Sequence, residues 1–349
     1  MSSLEAYLHI LDSCPETERI YAAEDIGYLN DAEAVPALLA RLPKEASRAV
    51  RDAMFQALYR IGADAAMEGC VQLLGSEDAQ IRSQAVNVLR HKGLASIPFL
   101  TSAMRREDKD VRKLVLDVLS SFAAECAEAI YEMALSDPDA NVVITAVENL
   151  GRMQCRTFKG RIESLLVSAN HPMLAAACLE SLAGIGDGSS FAAIRGRFPD
   201  LAALSDFFLV PCLRAVAALG DEREFAEVAG LLAIRRARFH PGILGALGAI
   251  QYRHPRAIQC AGAVPDLVAV AEGSGAPLCR YEAVRILGAL SWRSDVLSFL
   301  IGCLSNSESM VRLAAVEALR RAEQPGLQEL LNSVAKAETD QEVLQAFRC

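Results

Sequence analysis

The residues with the most chemistry in them fall in one short stretch, "AIRRARFHPGILGALGAIQYRHPR", from Ala233 to Arg256. Arg235, Arg236, Arg238 and His240 stand at its start, and Arg253, His254 and Arg256 at its end. Between Val228 and Pro265 there is no Asp or Glu, in a chain whose formal net charge is −9. Imidazoles among guanidiniums can hold an anion, and drawn into one pocket they would make an active site. Each histidine, though, is followed by proline, which marks a helix edge. A helix is expected from Pro241 to near Tyr252, about 18 Å long at 1.5 Å per residue. The two clusters then sit at opposite ends of one element. The preceding helix, "REFAEVAGLLAIRRAR", is expected to end in Arg235, Arg236 and Arg238, where the helix dipole stabilises cations by about 0.3–1 kcal/mol without any ligand. The stretch reads as a basic surface for a partner, not as a catalytic centre.

Other chemical motifs are missing. "GIGDGSS" at Gly184–Ser190 has glycines at the wrong spacing for a dinucleotide loop and follows a helix, so it reads as a helix end and turn. No nucleophile elbow, Walker-type lysine loop or H-E-x-x-H pair occurs. The ten cysteines are scattered singly with no C-x-x-C pair, the usage of reduced, mostly buried thiols in a cytoplasmic protein. No catalytic residue, cofactor ligand or metal ligand is therefore expected. A pI near 5.2 argues against a general nucleic-acid binder. The N-terminus "MSSLEAYLHILDSCPETER" is too polar for a secretory signal, and no uninterrupted apolar run is long enough to span a membrane.

The elements that carry these residues repeat. "VRDAMFQALYRIG" from Val50, "IRSQAVNVLRHKG" from Ile81 and "VRKLVLDVLSSFA" from Val111 each begin with an aliphatic–Arg pair. Each places a leucine eight residues further on: Leu58, Leu89 and Leu119. The register continues through Leu150, Leu182, Leu219, Leu247, Leu287 and Leu319, with Ile26 as first member. Most spacings are 30–32 residues; the exceptions are 37, 28 and 40, around residues 200–265. Apolar positions at −8, −4, −1 and 0 from the anchor define one face of a helix. Polar loops such as "GSEDAQ", "REDKD" and "SNSESM" precede it and supply capping residues. A second apolar helix lies upstream of each loop. Neither helix can bury its face alone, so neighbouring pairs must stack.

On these residues the chain resembles the HEAT-repeat family, and more closely the short HEAT-like repeats of phycobilisome lyases. The pairs Val50-Arg51, Ile81-Arg82, Val111-Arg112 and Val311-Arg312 carry the resemblance, with "CRYEAVRILGAL" from Cys279. It implies an all-α fold: a right-handed α-solenoid of about ten helix pairs over residues 1–349, with each repeat's second helix on the concave face. Residues 325–349 are expected to cap it with a last helix pair. The deoxyhypusine hydroxylases share such an architecture, but their iron-binding His-Glu pairs are missing here. HEAT-like DNA glycosylases use a basic groove, which the acidic composition disfavours. A bilin-handling lyase remains the alternative to a protein-binding scaffold.

Two further patterns bear on function. The arginines in the first turn of each second helix (Arg51, Arg82, Arg112, Arg280, Arg312) are expected to reach loop carboxylates or carbonyls of the neighbouring repeat. Two residues before each anchor is a column pointing away from the core. It reads Glu24, Gln56, Asn87, Asp117, Glu148, Glu180, Ala217, Gly245, Arg285 and Glu317. Asp117, Glu148 and Glu180 offer an acidic half suited to a basic partner segment, and Arg285 breaks that pattern. With the basic 235–256 stretch, these are the expected contacts for another protein.

Overall fold

The structure is a computed structural model and describes residues 3–260, 262–322 and 324–348. The described residues form helices and turns, with no strand. By its contacts the chain packs as two compact units, 1–155 and 156–349. Five helix pairs build the first unit and six the second.

In the first unit the second helices are Glu16–Leu29, Arg48–Ile61, Ala79–Lys92, Lys109–Leu119 and Ala140–Arg152, each packed on the next. The loops start them as their sequences require. The Ser47 hydroxyl accepts from the Val50 N–H, Asp78 from those of Gln80 and Ile81, Asp108 from Asp110 and Asp139 from Asn141. The anchors Ile26, Leu58, Leu89, Leu119 and Leu150 are all fully buried. A Cβ on Gly27 would lie 3.0 Å from the Ala57 backbone, so this glycine lets two second helices approach closely.

The second unit repeats the plan through Pro172–Ile185, Asp206–Leu219, His240–Arg253, Pro277–Leu287, Ser309–Arg320 and Gln341–Arg348. Proline stands in the first turn of three of these, where no N–H is needed. "GIGDGSS" is a helix end followed by a start: Gly186 closes one helix, and Asp187 opens the next in a capping box with Ser190. Leu327–Ala335 and Gln341–Arg348 both pack on Ser309–Arg320.

Two expectations need correction here. The anchor of the Asp206–Leu219 helix is Val216, because Leu219 is only half-buried while Leu209, Cys212, Leu213 and Val216 are buried. The run "FLVPCLRAVAAL" offers two registers, and the one observed buries its larger side chains. Spacings of 37 and 28 thereby become 34 and 31 between Leu182, Val216 and Leu247. The column two residues before the anchors then holds Arg214 in place of Ala217. Only the 40-residue step remains irregular; its extra chain contains the turn Ala257–Cys260, pinned by buried Ala257 and Ile258. Second, the helix carrying the arginine run is Glu224–Ile234 and ends before all three arginines, with Arg235 as its C-cap.

Of the five first-turn arginines, Arg51, Arg112, Arg280 and Arg312 reach the next loop and Arg82 does not. Arg51 donates to Asp78 at 2.5 Å, across to the next loop. Arg112 makes a two-point bond to Asp137 and also grips the Arg106 and Glu107 carbonyls of its own loop. Arg312 repeats this with Glu338 and with the carbonyls of Asn306 and Ser307. Arg280 reaches Asn306, and Arg82 stays on its own loop. Lys159 does the same work toward Asp187 at 2.6 Å. Planar guanidinium forks suit this task, since one side chain can tie two loops at once.

Candidate partner-binding surfaces

The basic stretch is divided between the two ends of His240–Arg253, about 20 Å apart at helical rise. At the N-terminal end Arg235 is not a free cation. Its side chain is 13% exposed, and it donates to the carbonyls of Leu201, Ala202 and Leu204 and contacts Asp206. Arg238 donates to the same Asp206 at 2.5 Å. Asp206, brought in from the preceding pair, neutralises part of a cluster that contains no acid of its own. Arg235 therefore serves the fold by tying down the 201–206 loop, a role the helix-end explanation missed. Arg236 is exposed with no partner among the described residues. His240 is half-buried, and its Nε2 is buried without a hydrogen bond.

At the other end Arg253 donates to the carbonyls of Ala217 and Gly220. His254 lies near Asp221, whose carboxyl is held below its ordinary range by the Arg223 N–H and, to a smaller extent, by His254. Arg256 is exposed and unpaired among the described residues. The structure thus keeps the two histidines apart and uses most of the arginines to hold loops.

The column residues fare differently. Asp117 and Glu148 are exposed in the first unit, and their carboxylates have no partner among the described residues. Glu180 is taken: both its oxygens accept from Arg214, at 2.7 and 2.8 Å, one repeat further on. Arg285 is half-buried and contacts Glu282 at 2.6 Å.

Arg285 leads to a feature the sequence did not announce. The second helices His240–Arg253, Pro277–Leu287 and Ser309–Arg320 enclose a groove of about 600 Å³. The small residues Gly288, Ala289, Ala314 and Ala318 are among its lining. A Cβ on Gly288 would lie 2.7 Å from that of Ala318, so the glycine allows the two helices to meet there. Tyr252 and Trp292, the chain's only tryptophan, are also among its lining residues, 88% and 61% exposed. Arg285, Glu317 and Arg321 bring charge to the lining. Burial and the nearby Glu317 carboxylate push the Tyr281 phenol above its ordinary value, and it donates to Glu317 at 3.3 Å.

The first unit also exposes aromatic rings in the last turns of its second helices. Arg60 lies 4.2 Å from the Tyr28 ring centroid, Lys92 4.7 Å from that of Tyr59, and His91 meets Tyr59 edge-on at 6.0 Å. Sequence reasoning missed Tyr252, Trp292 and Arg321. One signal was available: a lone tryptophan placed off the apolar register, five residues past its anchor, has no core position to fill.

The HEAT-repeat family model matches residues 4–90 and 264–348, together just under half of the chain. Both stretches are HEAT repeats. Among solved structures, importin β superposes on 99% of this chain with a TM-score of 0.63 at 13% identity. Kap121p bound to Pho4p does so over 99% with a TM-score of 0.53, also at 13% identity. This chain spans 57% of that importin β chain and 45% of Kap121p. The complex of CpcE and CpcF of phycocyanin lyase from a Nostoc species matches 61% of this chain and 86% of its own, at 21% identity and a TM-score of 0.28. No curated protein matches the sequence. The importin-type likenesses show the fold, an all-α solenoid of helix pairs. No helix among the described residues is long and apolar enough to cross a membrane.

Proposed function

We propose that this HEAT-repeat protein is a non-catalytic interaction module, binding a partner protein on the exposed face of its second helices. The groove lined by Tyr252 and Trp292 is the principal contact, and the irregular repeat supplies one wall of it. The observation that carries this reading is the exposure of two large aromatic side chains on one small-residue groove. Tyr and Trp dominate binding energy at protein interfaces, because each buries a large rigid surface at low entropic cost. Kap121p, a solenoid of the same fold, was solved with Pho4p bound, which fits a protein-binding role. The side-chain chemistry points the same way. Burial pushes the Cys70, Cys178 and Cys212 thiols up to about 12, which leaves them protonated and unreactive.

The test is a pull-down from native extract with the immobilised full chain. Wild type and Arg236→Glu, a change on the other end of the same repeat, are expected to recover the same partner. Trp292→Ala and Tyr252→Ala, both at exposed positions, are expected to lose it. If the folded groove variants recover the partner as wild type does, the groove is not the binding surface. A shifted visible spectrum on mixing the protein with a bilin would favour a chromophore-handling role instead.

A further inference from the structure

We infer that the groove takes an extended acidic segment of a partner protein, with one large apolar side chain seated between Tyr252 and Trp292. This rests on the protein-binding reading above and adds the chemistry of the occupant. The lining carries two guanidiniums, Arg285 and Arg321, against one carboxylate, Glu317. Glu317 already accepts from the Tyr281 hydroxyl, and Arg285 shares its charge with Glu282. Arg321 is exposed with no partner among the described residues. Arg256, likewise exposed and unpaired, follows Pro255, which lines the groove. Arg321 and Arg256 thus stand at the groove as guanidiniums with free donor capacity, in a chain of net charge −9.

The apolar half of the occupant follows from shape. Gly288, Ala289, Ala314 and Ala318 border a depression that no side chain of the described residues fills, and a partner's large side chain would be covered there by two aromatic rings. A carboxylate beside that side chain would find the unpaired Arg321 guanidinium. A basic segment would face the unpaired arginines. A nucleic acid would also find rings and guanidiniums here, but its run of phosphates asks for more unpaired cations than Arg256 and Arg321 supply.

A random nine-residue peptide library, selected on the immobilised full chain, tests this. Enriched peptides are expected to share an aliphatic or aromatic residue flanked by Asp or Glu. Their binding to Trp292→Ala and to Arg321→Glu should fall roughly tenfold or more. It should also weaken as salt is raised from about 0.05 to 0.5 M, because rim charges are screened. Enriched peptides that need Trp292 but are neutral or basic, or ignore Arg321→Glu, would overturn the acidic occupant and leave the protein-binding groove standing. Enriched peptides insensitive to Trp292→Ala, Tyr252→Ala and Arg321→Glu alike would overturn both. Trp292-dependent binding of an oligothymidylate, in place of peptide, would overturn the proteinaceous occupant.

Discussion

Arg112 and Asp137 meet with side chains 8% and 5% exposed, and their two hydrogen bonds of 2.6 and 2.8 Å join consecutive loops. Truncating the cation leaves a carboxylate buried and unpaired, so Arg112→Ala should destabilise the first unit by about 3 kcal/mol. Arg48→Ala, which removes an exposed ion pair to Asp52, should cost less than about 1 kcal/mol. Chemical denaturation of the full chain, paired with hydrogen exchange of the Lys109–Leu119 helix, would compare them. The same ladder gives the protein an acid limit. Glu338 is held at about 2, first by the Arg312 guanidinium and then by the N–H groups of Asp340 and Thr339, against an ordinary 4.5. Asp78 and Asp187 are likewise held low, first by Arg51 and Lys159 respectively. At these three carboxyls the folded chain therefore binds fewer protons than the unfolded chain as pH falls below their ordinary values. Stability from Glu338 is complete above that value and is lost as pH falls through about 2. Arg312→Gln should flatten this acid loss in a pH series of unfolding midpoints; an unchanged slope would contradict the assignment. These arginines were legible in the sequence because each follows an aliphatic residue at the start of a periodic helix. Arg235 was not, since its partners Leu201, Ala202, Leu204 and Asp206 come from a loop that no periodicity marks.

Gly288 lets neighbouring elements meet without a side chain between them, and this gives the packing its own test. The Gly288→Ala substitution would set two Cβ atoms 2.7 Å apart and force the Pro277–Leu287 and Ser309–Arg320 elements to shift. Overpacking of this kind costs roughly 1–3 kcal/mol. Adding Ala318→Gly should restore part of it, so a double-mutant cycle of thermal midpoints should show coupling, whereas simple additivity would place the two residues out of contact. Much of the element pattern could be read beforehand. Ile26, Leu58, Leu89, Leu119, Leu150, Leu182, Leu247, Leu287 and Leu319 all occupy core positions. The exception lay in the Asp206–Leu219 helix, where a long apolar run satisfies two registers and burial of Leu209, Leu213 and Val216 decides between them. That choice turned Ala217 into Arg214 in the outward column. It also supplied the partner of Glu180.

Across the whole molecule, Arg235, Arg238 and Arg253 of the basic 235–256 stretch are spent on holding neighbouring segments, and the proposed contact is the groove beside it. The groove was hidden from sequence reasoning because its walls come from three repeats and its small lining residues are alanines and a glycine that look like ordinary helix residues. Arg285 was visible as a break in the acidic column, but its neighbours Tyr252 and Trp292 are joined to it only by folding. The helix-pair architecture explains why such a groove forms on the second helices: stacking buries one face of each and leaves the other in water. The most direct measurement is hydrogen exchange of the full chain with and without the captured partner. Binding through the groove predicts slowed exchange in residues 240–253, 277–292 and 309–322, with Arg48–Ile61 and Ala79–Lys92 unchanged. Protection confined to other helices, with those three segments exchanging as in the free protein, would contradict it.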